Sequence, residues 1–303
     1  MRKIGIIGLG NVGATVAYTL LAKGEADHLV LIDLNEQKAE AEYNDLSDAL
    51  PRVNKHVQIT LNDWDALKDA EIVVTAVGKI TATAETGDRL AELKINAKNA
   101  YAIGEKLQDL DFKGIILNIS NPCDVITRIL QEASALPAEQ VFGTGTFLDT
   151  ARFQRFVGEK LEIAPKSVLG FVLGEHGSTE FVAWSTVRAN NLIASQLFDE
   201  DEMQDIEKAP EKDAMSIAKG KGYTSYAIAS TCVRLIEAIE SDEHLYAPVS
   251  TYQDDCECYI GYPAVITRQG AISVKPLSLT RKESGLLFDS ADKLKEKYNE
   301  VKK

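Results

Sequence analysis

The first half of the chain alternates short apolar runs with longer segments whose apolar residues recur at helical spacing. The apolar runs predict strands at Ile4–Ile7, Leu29–Ile32, Ile72–Ala76 and Gly114–Ile119. The segments between them predict helices at Val12–Lys23, Glu36–Leu50 and Asp88–Leu107. Strands that are apolar on both faces are typical of parallel sheets covered by helices. Residues 1–143 are therefore predicted to form an α/β domain, a Rossmann doubly wound parallel sheet.

The second half has a mixed pattern. It predicts helices at Leu148–Leu161 and Gly222–Ile239. It predicts strands at Val168–Val172, Ala183–Arg188, Tyr259–Thr267 and Ile272–Val274. An acidic stretch from Asp199 to Asp213 is interpreted as the solvated face of a helix. Thr280-Arg281-Lys282-Glu283 matches a capping box and precedes an amphipathic pattern, which predicts a C-terminal helix. Residues 144–303 are therefore predicted to form a mixed α+β domain.

Composition narrows the function classes. The net charge of −13 argues against nucleic acid and anionic membranes as partners. No apolar run approaches the ~20 residues of a membrane span. Met1-Arg2-Lys3 leads directly into the first predicted strand, so we expect no signal peptide and a cytoplasmic protein. The four cysteines, including Cys256-x-Cys258, lack nearby partners for a metal site and are interpreted as reduced apolar packing residues.

A glycine motif at the N-terminus predicts a dinucleotide site. Gly8-x-Gly10-x-x-Gly13 follows a strand and opens a helix, and Asp33 ends the next strand 20 residues after Gly13. A carboxylate there accepts hydrogen bonds from ribose hydroxyls and repels a 2′-phosphate, so NAD is predicted over NADP. A glycine-rich turn without a nucleotide is the alternative. The predicted cofactor-binding residues are Gly8, Gly10, Asn11, Val12, Gly13, Asp33, Gly78, Ile119 and Asn121.

The candidate chemistry centres on His176, which stands in Gly174-Glu175-His176-Gly177. Histidine is suited to proton transfer near neutral pH, and a carboxylate such as Asp149 would orient the ring and favour its charged form. Arg152 follows Asp149 by three residues, so both can lie on one helix face. The alternative, a hydrogen-bonded core histidine, is disfavoured by the flanking glycines. The remaining histidines are interpreted as surface residues: His28, His56 and His244.

These motifs together resemble the L-lactate/malate dehydrogenase superfamily over essentially the whole chain. The shared segments are Gly8–Gly13 with Asp33, Asp88-Arg89-Leu90, Asn121-Pro122-x-Asp124, Leu148–Arg152, Gly174–Gly177 and Lys221–Ser225. Within the superfamily, the sequences of Thr86–Arg89, Phe181–Arg188 and Gly220–Tyr226 are most similar to those of the L-2-hydroxyisocaproate dehydrogenases. The resemblance implies NAD-dependent, reversible reduction of a 2-oxo acid to an L-2-hydroxy acid by a homo-oligomer, a tetramer or a dimer.

The resemblance also implies roles for particular side chains. His176 would donate the proton, Asp149 would orient it, and Arg89 would polarise the carbonyl from a closing loop. The implied substrate-binding residues are Arg152 on the carboxylate, Asn121 on the reacting oxygen and Thr224 on the opposite wall. Cys123 replaces the commoner valine of its motif and is interpreted as a packing residue.

The chain departs from its relatives in the loop before Arg89. Ile80–Thr86 contains neither the Gln typical of lactate enzymes nor the Arg typical of malate enzymes. We therefore predict a 2-oxoisocaproate-like aliphatic substrate; the alternative is an L-lactate dehydrogenase acting mainly on pyruvate. Malate dehydrogenase, an NAD-dependent glycosidase and an NADH-sensing regulator are disfavoured. Gln154 and Leu169 stand where fructose-1,6-bisphosphate-activated enzymes have Arg and His, so we expect no such activation.

Overall fold

The computed structural model describes residues 2–78 and 89–303. Its centre is a nine-stranded sheet, with six strands from the first half of the chain and three from the second. The first six strands are β1 Lys3–Ile7, β2 His28–Ile32, β3 Gln58–Leu61, β4 Ile72–Thr75, β5 Ile115–Asn118 and β6 Val141–Gly143. They pair in parallel in the order β3-β2-β1-β4-β5-β6, as expected of a doubly wound dinucleotide-binding sheet, which confirms the predicted fold class.

The second half of the chain extends this sheet with antiparallel strands. They are β11 Leu245–Gln253, β12 Cys258–Thr267 and β13 Gly270–Ser273. Strand β11 joins β6 through the pairing of Ser250 with Gly143. Two small antiparallel pairs lie apart from it: β7 Val172–Leu173 with β8 Phe181–Val182, and β9 Arg188–Ala189 with β10 Leu192–Ile193. One sheet therefore crosses the predicted domain boundary at residue 143, and the division into domains stays a prediction.

Helices cover both faces of the sheet. Within the described residues they are α1 Asn11–Lys23, α2 Glu36–Ala49, α3 Arg89–Asp109, α4 Cys123–Ser134, α5 Phe147–Leu161, α6 Ala194–Leu197, α7 Glu200–Lys221, α8 Tyr226–Ser241 and α9 Arg281–Asn299. Among these helices, none has the length and apolarity that crossing a bilayer requires.

Alternation along the strands places two apolar cores on opposite faces of the sheet. In β2, Leu29 and Leu31 belong to one core, whereas Val30 and Ile32 belong to the other. The first core includes α1 and α8 side chains, and the second includes those of α3, α4 and α9. Burial on both faces explains why β1, β2, β4 and β5 have polar residues only at an end of the strand.

Several helix ends follow from the local sequence as predicted. Gly24 ends α1 in the left-handed conformation, with φ of 69°. Thr280 caps α9 reciprocally with Glu283, which confirms the capping box. Asp199 caps α7 in the same way, and the acidic residues that follow lie in this helix, as expected.

Three predictions in the second half were wrong. Ala183–Arg188 is not a strand, because Trp184–Thr186 forms a 3₁₀ turn in which the Thr186 hydroxyl donates to the Ala183 carbonyl at 2.7 Å. Gly170, with φ of 136°, interrupts the strand predicted at Val168–Val172, so β7 begins only at Val172. Gly222 ends α7 in the left-handed conformation and does not begin a helix; α8 starts at Tyr226.

The interpretation of all other histidines as surface residues was wrong for His28. His56 and His244 are exposed, but His28 is only 5% exposed at the start of β2. Its Nε2 is 2.8 Å from the Thr60 hydroxyl, and burial lowers its pKa. A neutral imidazole can occupy an interior strand position when one ring nitrogen has a partner.

The close approach of α1 to β1 makes Gly13 a test of the fold. A Cβ at Gly13 would lie 1.9 Å from the Gly8 carbonyl oxygen, whereas a Cβ at Gly10 would have no atom within 4 Å. We expect Gly13→Ala to destabilise the protein by about 1–3 kcal/mol, because backbone must shift. Gly10→Ala, the matched control, should keep the wild-type melting temperature. Equal melting temperatures for all three proteins would contradict this packing.

Candidate functional site

The glycine motif forms an open cradle at the carboxyl ends of β1 and β4. Gly8 has φ of 98°, and a Cβ there would lie 2.6 Å from the Ala76 carbonyl oxygen. Gly10 faces open space and precedes α1 at its N-terminus, which includes Asn11 and Val12. The free backbone N–H groups of such a helix end attract anionic groups. This geometry fits the pyrophosphate of a dinucleotide.

Asp33 is fixed at the end of β2 beside this cradle. One carboxylate oxygen accepts the Leu9 N–H at 2.7 Å, and the other accepts the Asn35 N–H at 2.8 Å. A cavity of about 480 Å³ is lined by Gly8, Gly10, Asp33, Gly78, Trp64, Lys38 and Lys106, among others. Its size and its carboxylate fit the adenosine half of NAD. Lys38 and Lys106 were not anticipated as wall residues.

A second cavity, of about 200 Å³, continues from the cradle toward the predicted chemistry. The predicted residues that line it are Gly10, Asn11, Val12, Gly78, Ile119, Asn121, Arg152, His176 and Thr224. Thr224 reaches it from the segment between α7 and α8, and Asn121 follows β5. Asn96 on α3 donates to the Asn121 carbonyl at 2.7 Å, which ties these two elements together. The fold thus gathers residues from distant parts of the chain around one space.

His176 and Asp149 form a close pair in this cavity. The His176 Nδ1 is 2.6 Å from an Asp149 carboxylate oxygen. Asp149 lies in the first turn of α5 and is 1% exposed, whereas the His176 side chain is 21% exposed. The backbone N–H of His176 donates to Asp124 at 2.9 Å. The ring is therefore fixed through Nδ1, which leaves Nε2 as the nitrogen available for proton transfer.

His176 and Asp149 shift each other's pKa values toward the charged forms. Attraction to Asp149 outweighs burial and raises the pKa of His176 to about 9. Burial opposes ionisation of Asp149, but His176 and Arg152 together hold the pKa of Asp149 below its ordinary value. The imidazole is consequently charged at neutral pH, as a proton donor must be.

Arg152 supplies a second positive charge to Asp149. Its guanidinium donates to the other carboxylate oxygen at 2.8 Å, across one turn of α5. A guanidinium has five N–H donors in a planar fork, so one bond to Asp149 leaves donors for an anionic ligand in the cavity.

The predicted lid lies outside the described residues. This applies to Lys79–Asp88, including the specificity loop Ile80–Thr86. The backbone of Arg89 begins α3, but its side chain is not described, so its role stays a prediction.

Sequence reasoning missed Glu180 as a member of the site. Ligand atoms of Asp149, His176 and Glu180 all lie within 4.8 Å of one another. Burial, followed by the nearby Asp149 carboxylate, raises the pKa of Glu180 to about 8. The spacing of four residues from His176 was the available signal, but it gains meaning only because the chain turns back there into β8. Since Asp149 already pairs with Arg152 and His176, we assign no metal to this cluster.

Cys123 occupies the packed side of the site. It is buried at the start of α4, and burial raises the pKa of its thiol to about 12. All four cysteines are free and buried. A thiol that resists ionisation is a poor nucleophile, in agreement with its interpretation as a packing residue.

Family models match both halves of the chain. Residues 2–143 match the lactate/malate dehydrogenase NAD binding domain, and residues 146–303 match the lactate/malate dehydrogenase alpha/beta C-terminal domain. The L-lactate dehydrogenase of Halalkalibacterium halodurans is 36% identical over 300 residues, which cover 97% of this chain and 96% of that protein. The L-lactate dehydrogenase of Staphylococcus saprophyticus is 36% identical over 311 residues, covering 99% and 96%.

Solved structures agree with these relatives. The minor L-lactate dehydrogenase of Enterococcus mundtii superimposes with a TM-score of 0.93 at 32% identity, covering 99% of this chain and 98% of that one. The lactate dehydrogenase MGS-M5, from a Medee basin deep-sea metagenome library, gives a TM-score of 0.94 at 30% identity, with 99% of both chains covered. The chain therefore belongs to the lactate/malate dehydrogenase family and is an NAD-dependent oxidoreductase acting on 2-hydroxy acids.

Proposed function

We propose that this protein is an L-lactate dehydrogenase that interconverts pyruvate and L-lactate with NAD. The observation that carries the proposal is the convergence of the Asp149–His176 pair and Arg152 on one cavity beside the dinucleotide cradle. The names of the relatives support pyruvate over the longer aliphatic acids expected from the loop sequence.

The proposed mechanism divides the reduction between cofactor and protein. When bound, NADH supplies the hydride that reduces the carbonyl carbon. His176 holds a proton at Nε2 and gives it to the carbonyl oxygen, while Asp149 keeps the ring oriented and charged. Asn121 donates a hydrogen bond to the same oxygen. In the reverse direction, His176 accepts the hydroxyl proton of lactate.

Arg152 binds the substrate carboxylate in this proposal. The planar guanidinium can form two parallel hydrogen bonds with a carboxylate, which fixes the position of the carbonyl carbon. Thr224 bounds the cavity on the side of the substrate. Arg89 would polarise the carbonyl from the loop that precedes α3.

The residues of the cradle would hold the cofactor with backbone N–H groups, a carboxylate and small side chains. The N-terminus of α1 would bind the pyrophosphate beside Gly8 and Gly10. Asp33 would accept the ribose hydroxyls, and Gly78, Ile119 and Asn121 would border the nicotinamide half.

A medium aliphatic 2-oxo acid such as 2-oxoisocaproate is the second candidate substrate. The sequence of Ile80–Thr86 favours it, because this segment has no cation for a second carboxylate and none of the usual lactate-enzyme glutamine. Apolar wall residues Leu148 and Ile228 are compatible with it.

We propose a two-domain organisation divided near residue 143, a homo-oligomer and a cytoplasmic location. We also propose that fructose-1,6-bisphosphate does not activate the enzyme. Gln154 and Leu169 have uncharged side chains, so neither can pair with a phosphate. Gln154 instead donates to the Val168 carbonyl at 2.8 Å, and Leu169 is 62% exposed.

A panel of 2-oxo acids tests the proposed function. We expect kcat/KM with NADH to be highest for pyruvate, lower for 2-oxoisocaproate and lowest for oxaloacetate. Each extra methylene in a fitted pocket adds at most about 0.8 kcal/mol of binding free energy. The roughly three extra carbons of 2-oxoisocaproate would therefore raise kcat/KM over that of pyruvate by roughly 10- to 50-fold in a pocket built for it. That outcome would replace pyruvate by the second candidate, and a preference for oxaloacetate would refute both.

The pKa of His176 predicts the pH dependence of pyruvate reduction. Because the donor must be protonated, kcat/KM should fall as pH rises through about 9, and ionisation of Glu180, whose pKa is about 8, should add an earlier and smaller fall by weakening binding of the substrate carboxylate. His176→Ala should bind NADH normally, yet lose roughly 10²–10⁴-fold in kcat.

Glu180→Gln serves as the control for this profile, because Glu180 also has a raised pKa, of about 8. The fall at high pH should persist in this variant if His176 is the donor. If kcat/KM no longer falls at high pH in Glu180→Gln, the fall in the wild type is caused by ionisation of Glu180 and not of His176.

Asp33 should determine the choice of cofactor. We expect wild-type kcat/KM to be much higher with NADH than with NADPH, and Asp33→Ser to narrow that ratio about 10-fold or more by removing a charged acceptor and its repulsion of phosphate. Asp45→Ser, an exposed change of equal charge on α2, should leave the ratio unaltered. An unchanged ratio in Asp33→Ser would remove Asp33 from the ribose contact.

A further inference from the structure

The residue before His176 is an unusually well-anchored buried carboxylate. The Glu175 side chain is 4% exposed and forms an ion pair with Lys297 of α9, 122 residues away along the chain. Its other oxygen accepts the Thr179 hydroxyl at 2.9 Å. A buried charge is tolerated only when such partners compensate for lost hydration.

Two side chains of α9 bind this short segment. The Ser290 hydroxyl accepts the Glu175 backbone N–H at 2.8 Å and lies 2.7 Å from the Thr179 hydroxyl. Lys297 follows Ser290 by seven residues, which places both on the same face of α9. The helix therefore holds Glu175 by its backbone and by its side chain.

His176 is consequently held from two directions. Its backbone N–H is bonded to Asp124 on α4, while the peptide before it is fixed by α9. A cavity of about 520 Å³ lies beside this segment, with Lys297, Glu175, His176, Gly177 and Asn121 in its walls. Within residues 2–78 and 89–303 this space beside the loop is unfilled, so packing among them does not by itself confine the loop there.

We propose that Lys297 is a positioning residue for catalysis: through Glu175, it keeps His176 in its contact with Asp149. The proposal rests on the proposed role of His176 as proton donor. Lys297 touches neither cofactor nor reacting atoms in this scheme. Its contribution is to keep a buried carboxylate paired, so that the segment carrying His176 has one stable position.

Removal of Lys297 would leave the Glu175 carboxylate buried without its cation. Because Glu175 lies in the wall of the 520 Å³ cavity, the segment can relieve that charge by moving toward this space and its water instead of taking up a proton, which would lengthen the His176–Asp149 contact. Misplacement of about 1 Å in a catalytic group can cost up to 100-fold in rate. The loss should therefore fall on kcat and not on NADH binding.

The experiment compares four variants of the full-length enzyme with pyruvate and NADH. We expect Lys297→Met to lower kcat about 10- to 100-fold with unchanged NADH affinity. Lys297→Arg should retain most of the activity, because it restores a cation. Glu175→Gln combined with Lys297→Met should recover much of the loss, because it removes the buried charge.

Lys295→Met is the matched control on the same helix. Lys295 pairs with Asp292, whose side chain is 70% exposed, at 2.7 Å on the surface. This variant should keep wild-type kcat. Equal losses in Lys295→Met and Lys297→Met would indicate a general effect of charge or helix stability and would overturn the proposal.

The titration of His176 supplies a readout that does not depend on turnover. The chain has four histidines, so the ring resonances can be assigned by comparison with His176→Ala. If Lys297 affected His176 only through its charge, its removal would raise the pKa of His176, because a nearby positive charge would be lost. Loss of positioning would lower it toward the ordinary value, because the Asp149 contact that raises it is weakened.

The two measurements separate the proposals from each other. A lower pKa of His176 in Lys297→Met supports the positioning role, even if the wild type reduces no 2-oxo acid and the proposed function fails. An unchanged or raised pKa, or a kcat within twofold of wild type, overturns the positioning role and leaves the proposed function standing.

Discussion

The site depends on how one buried carboxylate is neutralised. Asp149 is 1% exposed, and an isolated charge at that depth would protonate. His176 and Arg152 each contact one of its oxygens, so two cations stabilise a single anion. The His176 contact fixes α5 relative to the segment after β7, whereas the Arg152 contact lies within α5 and holds the carboxylate in place there. It also keeps the imidazole charged, which connects the stability of the site with its proposed chemistry.

The sheet decides where this cluster lies. Parallel strands present their carboxyl ends at one edge, and the order of β4, β1 and β2 leaves a crevice there for a dinucleotide. The antiparallel extension then brings the second half of the chain to the same edge. The backbones of Gly174 and Gly261 exchange two hydrogen bonds, of 3.1 and 2.9 Å, which tie the segment before His176 to β12. The His176–Asp149 pair therefore lies beside the cradle because one sheet supports both.

The sequence was most informative where local pattern determines structure. The apolar runs identified β1, β2, β4 and β5, because strands buried on both faces contain few polar residues. It failed for β3, where polar Gln58 and Thr60 break up the apolar run, for the three-residue β6, and for β11, a continuous nine-residue strand that contains Pro248. The predicted residues around His176 were brought together by the fold. Glu180 and Lys297 were missed, because their importance arises from contacts across elements and not from spacing along the chain.

Among His176, Arg152, Asp149 and Glu180, the summed charge suits an anionic substrate when Glu180 is neutral. Under the proposed function, His176 and Arg152 carry two positive charges and Asp149 one negative charge, which leaves one positive charge for the carboxylate of a 2-oxo acid. An ionised Glu180 would cancel it. Burial raises the pKa of Glu180 to about 8, so this side chain is largely protonated at neutral pH. The same burial that makes Asp149 dependent on its two cations thus also keeps a second carboxyl group from competing with the substrate.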